Sequence, residues 1–259
     1  MQKFRYLIQI QYLGFRYSGW FVQPGQLTVQ KMVNKTVAFI LGPVNFKTLG
    51  SSRTDAKVSA NQMAFELFVD KELPKDFLVQ FNDNLPSDIK ALSIDTVGEE
   101  FNIIQAAKTK EYLYLFSFGE KAHPFSASMV YNAMEDLNLE LMKEGAKLFE
   151  GTHNFKNYIV KPSAKTVLTR EISSCEILEN TFYTASFFPE KSYALKVKSS
   201  GFGRNQIRLM MGQLLELGRG NITMEDIRES LKDNVDNQVK TIAPASALIL
   251  QKIDFDNIL

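Results

Sequence analysis

Phe4, Tyr6, Ile8, Ile10 and Tyr12 fall on alternate positions among mostly polar neighbours, the two-residue period of a strand with one buried face. The same period returns at Met63, Phe65, Leu67 and Val69, and again at Tyr112, Tyr114, Phe116 and Phe118. Between these stretches the spacing becomes helical. Thr28 precedes Val29, Met32, Val33, Val37, Ile40 and Leu41, and Gly42-Pro43 ends the run, as helix stop signals do. A helix opened by Pro74 and a strand near residues 89–97 complete a first half. The second half predicts a helix near 137–149, strands near 170–178 and 193–199, and a helix near 205–217 stopped by Gly218. A further helix starts at Thr223, with Asp226 placed to close a capping box, and a strand follows near 248–253. Strands and helices that intermix in both halves predict α+β sheets with helices covering one face. With no Gly/Ser linker between them, the halves are expected to be residues 1–105 and 106–259, tightly packed.

Composition narrows the function classes. No apolar run approaches the roughly 20 residues of a membrane span, and a strand pattern from Phe4 is expected to leave no room for a signal peptide. One cysteine, Cys175, removes an internal disulfide framework and fits a reducing, cytoplasmic setting. Two histidines, His123 and His153, argue against a Cys/His metal cluster. The formal net charge of +1 hides a division. Residues 66–101 hold nine acidic and three basic side chains, while 143–219 hold twelve basic and seven acidic. Such a split can turn a basic face toward a polyanion; it is equally the pattern of an unevenly charged solvated surface.

The segment Gly50-Ser51-Ser52-Arg53-Thr54-Asp55-Ala56-Lys57-Val58-Ser59-Ala60 is small, polar and turn-prone between two strand-like stretches. By itself an Arg two residues before an Asp is compatible with simple turn chemistry. Its surroundings, however, recur in a known order. Arg53-Thr54-Asp55-Ala56 resembles the Arg-Thr-Asp-Ala core of the tRNA pseudouridine synthase A family. Tyr12-Leu13-Gly14, Gly19-Trp20 with Gln23, and Thr28-Val29-Gln30 resemble that family's N-terminal segment and first helix start. Asn82 to Ile89 is similar to its Asn-x-Leu-Pro-x-Asp-Ile, and Lys110 to Tyr114 to its basic tyrosine strand. Phe202 to Gly212 and Ala243-Pro244 to Leu248 resemble its arginine helix and its closing Ala-Pro-x-x-x-Leu.

The resemblance implies two ferredoxin-like or RRM-like α+β halves with sheets flanking a central RNA-binding cleft, the pseudouridine synthase fold. It also implies a cofactor-free, metal-free homodimer that isomerises uridine in RNA, with the anticodon stem-loop of tRNA as first target. Asp55 would be the catalytic carboxylate, nucleophile or base, with Arg208 holding its charge and Tyr112 stacking on the uracil as a candidate to take the C5 proton. By spacing alone, Arg208 reads as a surface helix charge and Tyr112 equally as a core aromatic. Arg53 would enter the RNA, since an extruded base leaves a gap to fill. Lys57, Arg204, Lys156 and Lys161, with Lys165, Lys196, Lys198 and Arg219, are further candidates for phosphates. Trp20 and Phe21 read as packing residues. The chain departs from the family at Ser52, Lys57, Ser59, Glu111, Leu113, Asn205 and Gln206, so an RNA-binding paralogue with little turnover, or a synthase for another RNA, is the rival reading.

Overall fold

The computed structural model describes residues 4–233 and 235–255. Packing divides the chain into two units, residues 1–108 with 249–259, and residues 109–248.

The first unit opens with β1, Phe4–Tyr12, whose predicted alternation holds from Ile8 to Tyr12, while Leu7 on the other face is buried as well and Phe4 only half-buried. α1, Val29–Leu41, is capped by Thr28, whose side chain accepts from the Lys31 N–H, and it ends at Gly42 with φ 65°. β2 (Phe46–Gly50), β3 (Ser59–Val69), α2 (Phe77–Asn84) and β4 (Ile89–Thr96) follow. The sheet order is β4-β1-β3, with β2 on the outer side of β3, and each of these pairs is antiparallel. That is the βαββαβ arrangement of a ferredoxin-like unit. A short helix, α3 (Ile103–Ala106), is capped by Asn102. β10, Leu248–Phe255, joins this unit through Ile249 and Leu250, which pair parallel with Ser59 and Ala60 of β3. Leu7, Ala64, Val97 and Ile103 form a buried cluster beneath Leu49, Phe101 and Phe255.

A charge pair with a fully buried carboxylate lies inside this unit. Glu66 is 1% exposed and receives the Arg5 guanidinium at 2.6 Å, whose other N–H groups donate to the Glu99 and Phe101 carbonyls. Burial pushes the Glu66 carboxyl above its ordinary value, and Arg5 opposes that rise.

The second unit carries most of β5, Ala107–Phe118, with β6 (Tyr131–Ala133), α4 (Leu139–Lys147), β7 (Gly151–Asn154), β8 (Thr169–Glu179), β9 (Tyr193–Ser199), α5 (Gln206–Gly218) and α6 (Met224–Ser230). Its strands run β5-β9-β8-β7, all antiparallel, and β6 lies parallel on β5. α4 and α5 approach so closely that a Cβ on Gly145 would stand 2.4 Å from Leu217, and one on Gly218 2.6 Å from the Met142 sulfur. α6 has the predicted capping box, Thr223 and Asp226 exchanging side-chain and backbone bonds. No helix among the described residues is long and apolar enough to cross a membrane.

Candidate functional site

Asp55 lies in the loop between β2 and β3, half-buried, with Arg53 and Lys57 exposed on either side. The loop is gripped from beneath by residues 12–20. Thr54 is buried; its hydroxyl meets the Tyr12 hydroxyl at 2.9 Å, and its carbonyl accepts from the Trp20 N–H at 3.4 Å. The Lys57 N–H donates to the Tyr17 carbonyl at 2.9 Å, and the Val58 N–H closes a turn onto the Asp55 carbonyl at 3.2 Å. Ser59 accepts the Gly14 N–H through its hydroxyl at 2.9 Å, so this departure from the family pattern has a structural use.

Two glycines make this contact possible. A Cβ on Gly14 would stand 2.0 Å from the Val58 carbonyl oxygen. Gly19 has φ +89°, and a Cβ there would stand 2.4 Å from the Thr54 oxygen and 3.2 Å from the Asp55 carbonyl carbon. The backbone of the Asp loop therefore rests directly on the backbone at Gly19, at a distance only glycine allows. Trp20 is fully buried, stacked on Tyr12 and tilted against Phe65. It is a packing residue, as read. Phe21 carries the Arg53 guanidinium 5.4 Å above its ring, a cation–π contact that sequence reasoning did not supply. Lys57 stands over Phe15 at 5.7 Å and adopts φ 68°.

The frame is braced from the motif before β4. Arg16 donates twice to Asp88, at 2.5 and 2.9 Å, and the Tyr17 hydroxyl donates at 2.7 Å. Burial works to raise the Asp88 carboxyl, but the bonds from Arg16 and Tyr17 overcome it and hold the group below its ordinary value. The Tyr17 phenol is pushed up to about 12, first by burial and then by Asp88. Four matched segments, at residues 12–14, 19–20, 53–56 and 82–89, thus meet in one scaffold around Asp55.

In the second unit Tyr112 is 6% exposed on β5 and meets Phe202 edge-on, at 5.3 Å and 86°. Phe202 had been read only as the first residue of the arginine-helix match. Arg208 lies in the first turn of α5, where its Nε donates to the Ala243 carbonyl at 2.8 Å and its Nη1 to Asn205 Oδ1 at 3.3 Å. The Ala243 N–H returns a bond to the Arg208 carbonyl at 3.0 Å. Arg208 is thereby a half-buried, oriented guanidinium rather than a free surface charge, and its orienting residues are the Ala-Pro segment and Asn205. Tyr114, two residues along from Tyr112, is fully buried with an unpartnered hydroxyl. Burial raises that phenol well above its ordinary value, the Tyr131 hydroxyl adds to the rise, and Arg208 acts against it.

The departures at 111 and 113 have distinct consequences. Leu113 is fully buried, so this position cannot lie along an RNA strand. Glu111 holds Lys198 at 2.9 Å. Among the other basic candidates, Lys156 pairs with Asp236 at 3.1 Å and Lys196 with Glu176 at 3.7 Å, while Arg219 holds both Glu135 and Glu216. Arg204, Lys161 and Lys165 are exposed. Among the described residues no group of three or more His, Cys, Asp or Glu is placed to hold a metal ion.

A family model described as tRNA pseudouridine synthase matches residues 146–256. A tRNA pseudouridine synthase A of Geobacter sulfurreducens is 31% identical over 248 residues, covering 95% of this chain and 97% of the relative. A tRNA pseudouridine synthase A 2 of Bacillus cereus is 29% identical over 252 residues, covering 96% and 99%. The solved chain titled "Crystal Structure of a Cbf5-Nop10-Gar1 Complex" gives a TM-score of 0.33 at 14% identity over 95% of this chain and 48% of that one, too slight an overlap to argue from.

Proposed function

The chain belongs to the tRNA pseudouridine synthase A family, and we propose that it isomerises uridine to pseudouridine in tRNA through Asp55. The observation that carries the assignment to Asp55 is the scaffold: residues 12–20 and 88 fix the backbone of the 53–57 loop by close glycine contacts and hydrogen bonds, and leave Asp55 half-buried between two exposed cations. A rigidly supported carboxylate beside cations that can meet phosphate is what the reaction requires.

The reaction breaks the N1–C1′ bond, turns the uracil, and joins C1′ to C5; the C5 proton leaves and N1 ends protonated, so the sum is an isomerisation. Asp55 acts as nucleophile, at C1′ or C6, or as the base that starts cleavage. Arg208, oriented by Ala243 and Asn205, is the guanidinium that keeps the carboxylate ionised. Tyr112, held edge-on by Phe202, stacks on the uracil and stands as the acceptor of the C5 proton. Arg53, lying over Phe21, fills the gap left by the extruded base, and Lys57, Arg204, Lys156 and Lys161 supply phosphate contacts. The anticodon stem-loop is the target site, the active form is a homodimer, and the setting is the cytoplasm.

The test is tritium release from tRNA labelled at uridine C5. The wild type should liberate tritium into water, and Asp55→Asn should lose at least about 10³-fold in rate while still binding tRNA, because the amide keeps the shape but supplies neither nucleophile nor base. Turnover by the Asn variant within about tenfold of wild type removes Asp55 from the reaction. A wild type that binds tRNA without releasing tritium would establish the binding-only paralogue instead.

A further inference from the structure

We propose that Arg170, seconded by Lys110, is a phosphate subsite for the RNA strand that passes beside Tyr112, an assignment that rests on the synthase reading above. Arg170 was not singled out from the sequence as a phosphate candidate, and Lys110 entered only as the first residue of the tyrosine-strand match.

The register places them. β5 pairs with β9 so that Lys110 faces Ser199 and Tyr112 faces Val197, and β9 pairs with β8 so that Ser199 faces Ile172. Directly paired residues share a sheet face, as do residues two apart along a strand. Lys110, Tyr112 and Arg170 therefore stand on one face. The turn after β9 connects them. A Cβ on Gly201 would lie 3.4 Å from Arg170 Nη1, and the next residue, Phe202, carries the ring that meets Tyr112 at 5.3 Å. Ser199 fixes the turn, its hydroxyl lying 3.0 Å from the Gly201 carbonyl and 3.3 Å from its N–H. Guanidinium and Tyr112 ring thus rest against neighbouring residues of one short turn.

The charge on Arg170 is the second observation. It is half-buried, and its Nε is buried without any hydrogen-bond partner. Burial lowers its proton affinity below the ordinary value, and no carboxylate acts to restore it. Lys110 is lowered as well, by burial first and then by the Arg170 charge. Lys156, Lys196, Lys198 and Arg219 differ from Arg170 in that each holds a carboxylate. A buried ionic donor left unmade is costly and calls for an explanation. An oxyanion supplies one, and the planar fork of arginine suits a phosphodiester, which offers two oxygens to adjacent N–H groups.

The experiment uses the full chain as wild type, Arg170→Gln and Arg170→Lys, with an unmodified tRNA transcript as probe. Binding is titrated against KCl, melting is followed without RNA, and tritium release is measured across RNA concentrations. Arg170→Gln should weaken binding about five- to tenfold near 0.1 M salt, lower the slope of log K against log salt by about 0.9, and express its loss in KM rather than kcat. Its RNA-free Tm should match or exceed that of wild type, since an uncompensated charge has gone. Arg170→Lys should keep the wild-type slope. Superimposable slopes for wild type and Arg170→Gln overturn the subsite, and so does a clear fall in the RNA-free Tm, which would mark a structural role. A wild type that neither binds tRNA nor releases tritium overturns the synthase reading, and the subsite with it.

Discussion

Replacing Gly19 by alanine tests whether the Asp55 loop depends on backbone contact with residues 12–20. Two costs follow from the geometry. At φ +89° any L residue is strained, by about 1–2 kcal/mol. The added Cβ would also stand 2.4 Å from the Thr54 oxygen, about 1 Å inside ordinary contact. The atom it meets is backbone, so no flexible side chain can swing away, and overpacking of this kind costs about 1–3 kcal/mol. The sum, about 2–5 kcal/mol, should appear as a lower Tm and denaturant midpoint. Relief requires the backbone at Thr54 and Asp55 to move by up to about 1 Å, and a reacting group misplaced that far loses about 10²-fold in rate. Gly25 is the control: its φ is +71° and nothing lies within 4 Å of its Cβ position. Gly25→Ala should therefore carry the dihedral cost alone, a fall of about 2–8 °C, with tritium release intact. Equal behaviour of the two variants, in melting and in turnover, would refute the contact argument.

Lys57 pays for its φ of 68° with strain that glycine would not feel, so Lys57→Gly should gain up to about 1 kcal/mol of stability yet lower the salt slope of tRNA binding by about 0.9; superimposed binding slopes would discard Lys57 as a phosphate contact. Arg5→Leu leaves the buried Glu66 without its cation and should cost about 3 kcal/mol at neutral pH. Without Arg5 the folded Glu66 carboxyl rises further above its ordinary value; a raised carboxyl binds its proton more tightly in the folded chain, so stability falls as pH rises through that range. Urea unfolding at pH 5 and pH 8 should show the larger deficit at pH 8, and equal deficits would show that the partner's loss is not electrostatic. Light scattering at micromolar concentration should give twice the chain mass of 29.4 kDa, and a fully active species at the single-chain mass would exclude the dimer.

Long periodic elements were legible in the sequence because their own residues specify them. β1, α1 with its Thr28 cap, and α6 with its capping box follow from spacing and end signals. β2, β6, β7 and α3 were not read, since runs of three to five residues show too few repeats of a period. β2 exists because β3 offers it a partner edge, information that lies beyond its own five residues. The same limit applies to the site. Asp55, Tyr112 and Arg208 were given roles through a resemblance, while the roles of Gly19 beneath the loop, Phe202 against Tyr112 and Asn205 on Arg208 come only from contacts that folding brings. Leu113 shows the converse: beside a tyrosine in a basic strand it invited comparison with RNA-contacting positions, yet both faces of β5 are covered there and it lies in the core.

The pairing of Ile249 and Leu250 with Ser59 and Ala60 has a consequence for biosynthesis. The strand that follows the Asp55 loop ends at Val69 and receives this neighbour only once residues 70–248 have been translated, roughly 9–36 s later at about 5–20 residues per second. Until then a nascent chain carries the loop with one edge of its supporting strand open. Closing that edge is a contact between residues far apart in sequence, which makes it slow. The Asp55 loop therefore gains its full support late, when nearly the whole polypeptide is already made.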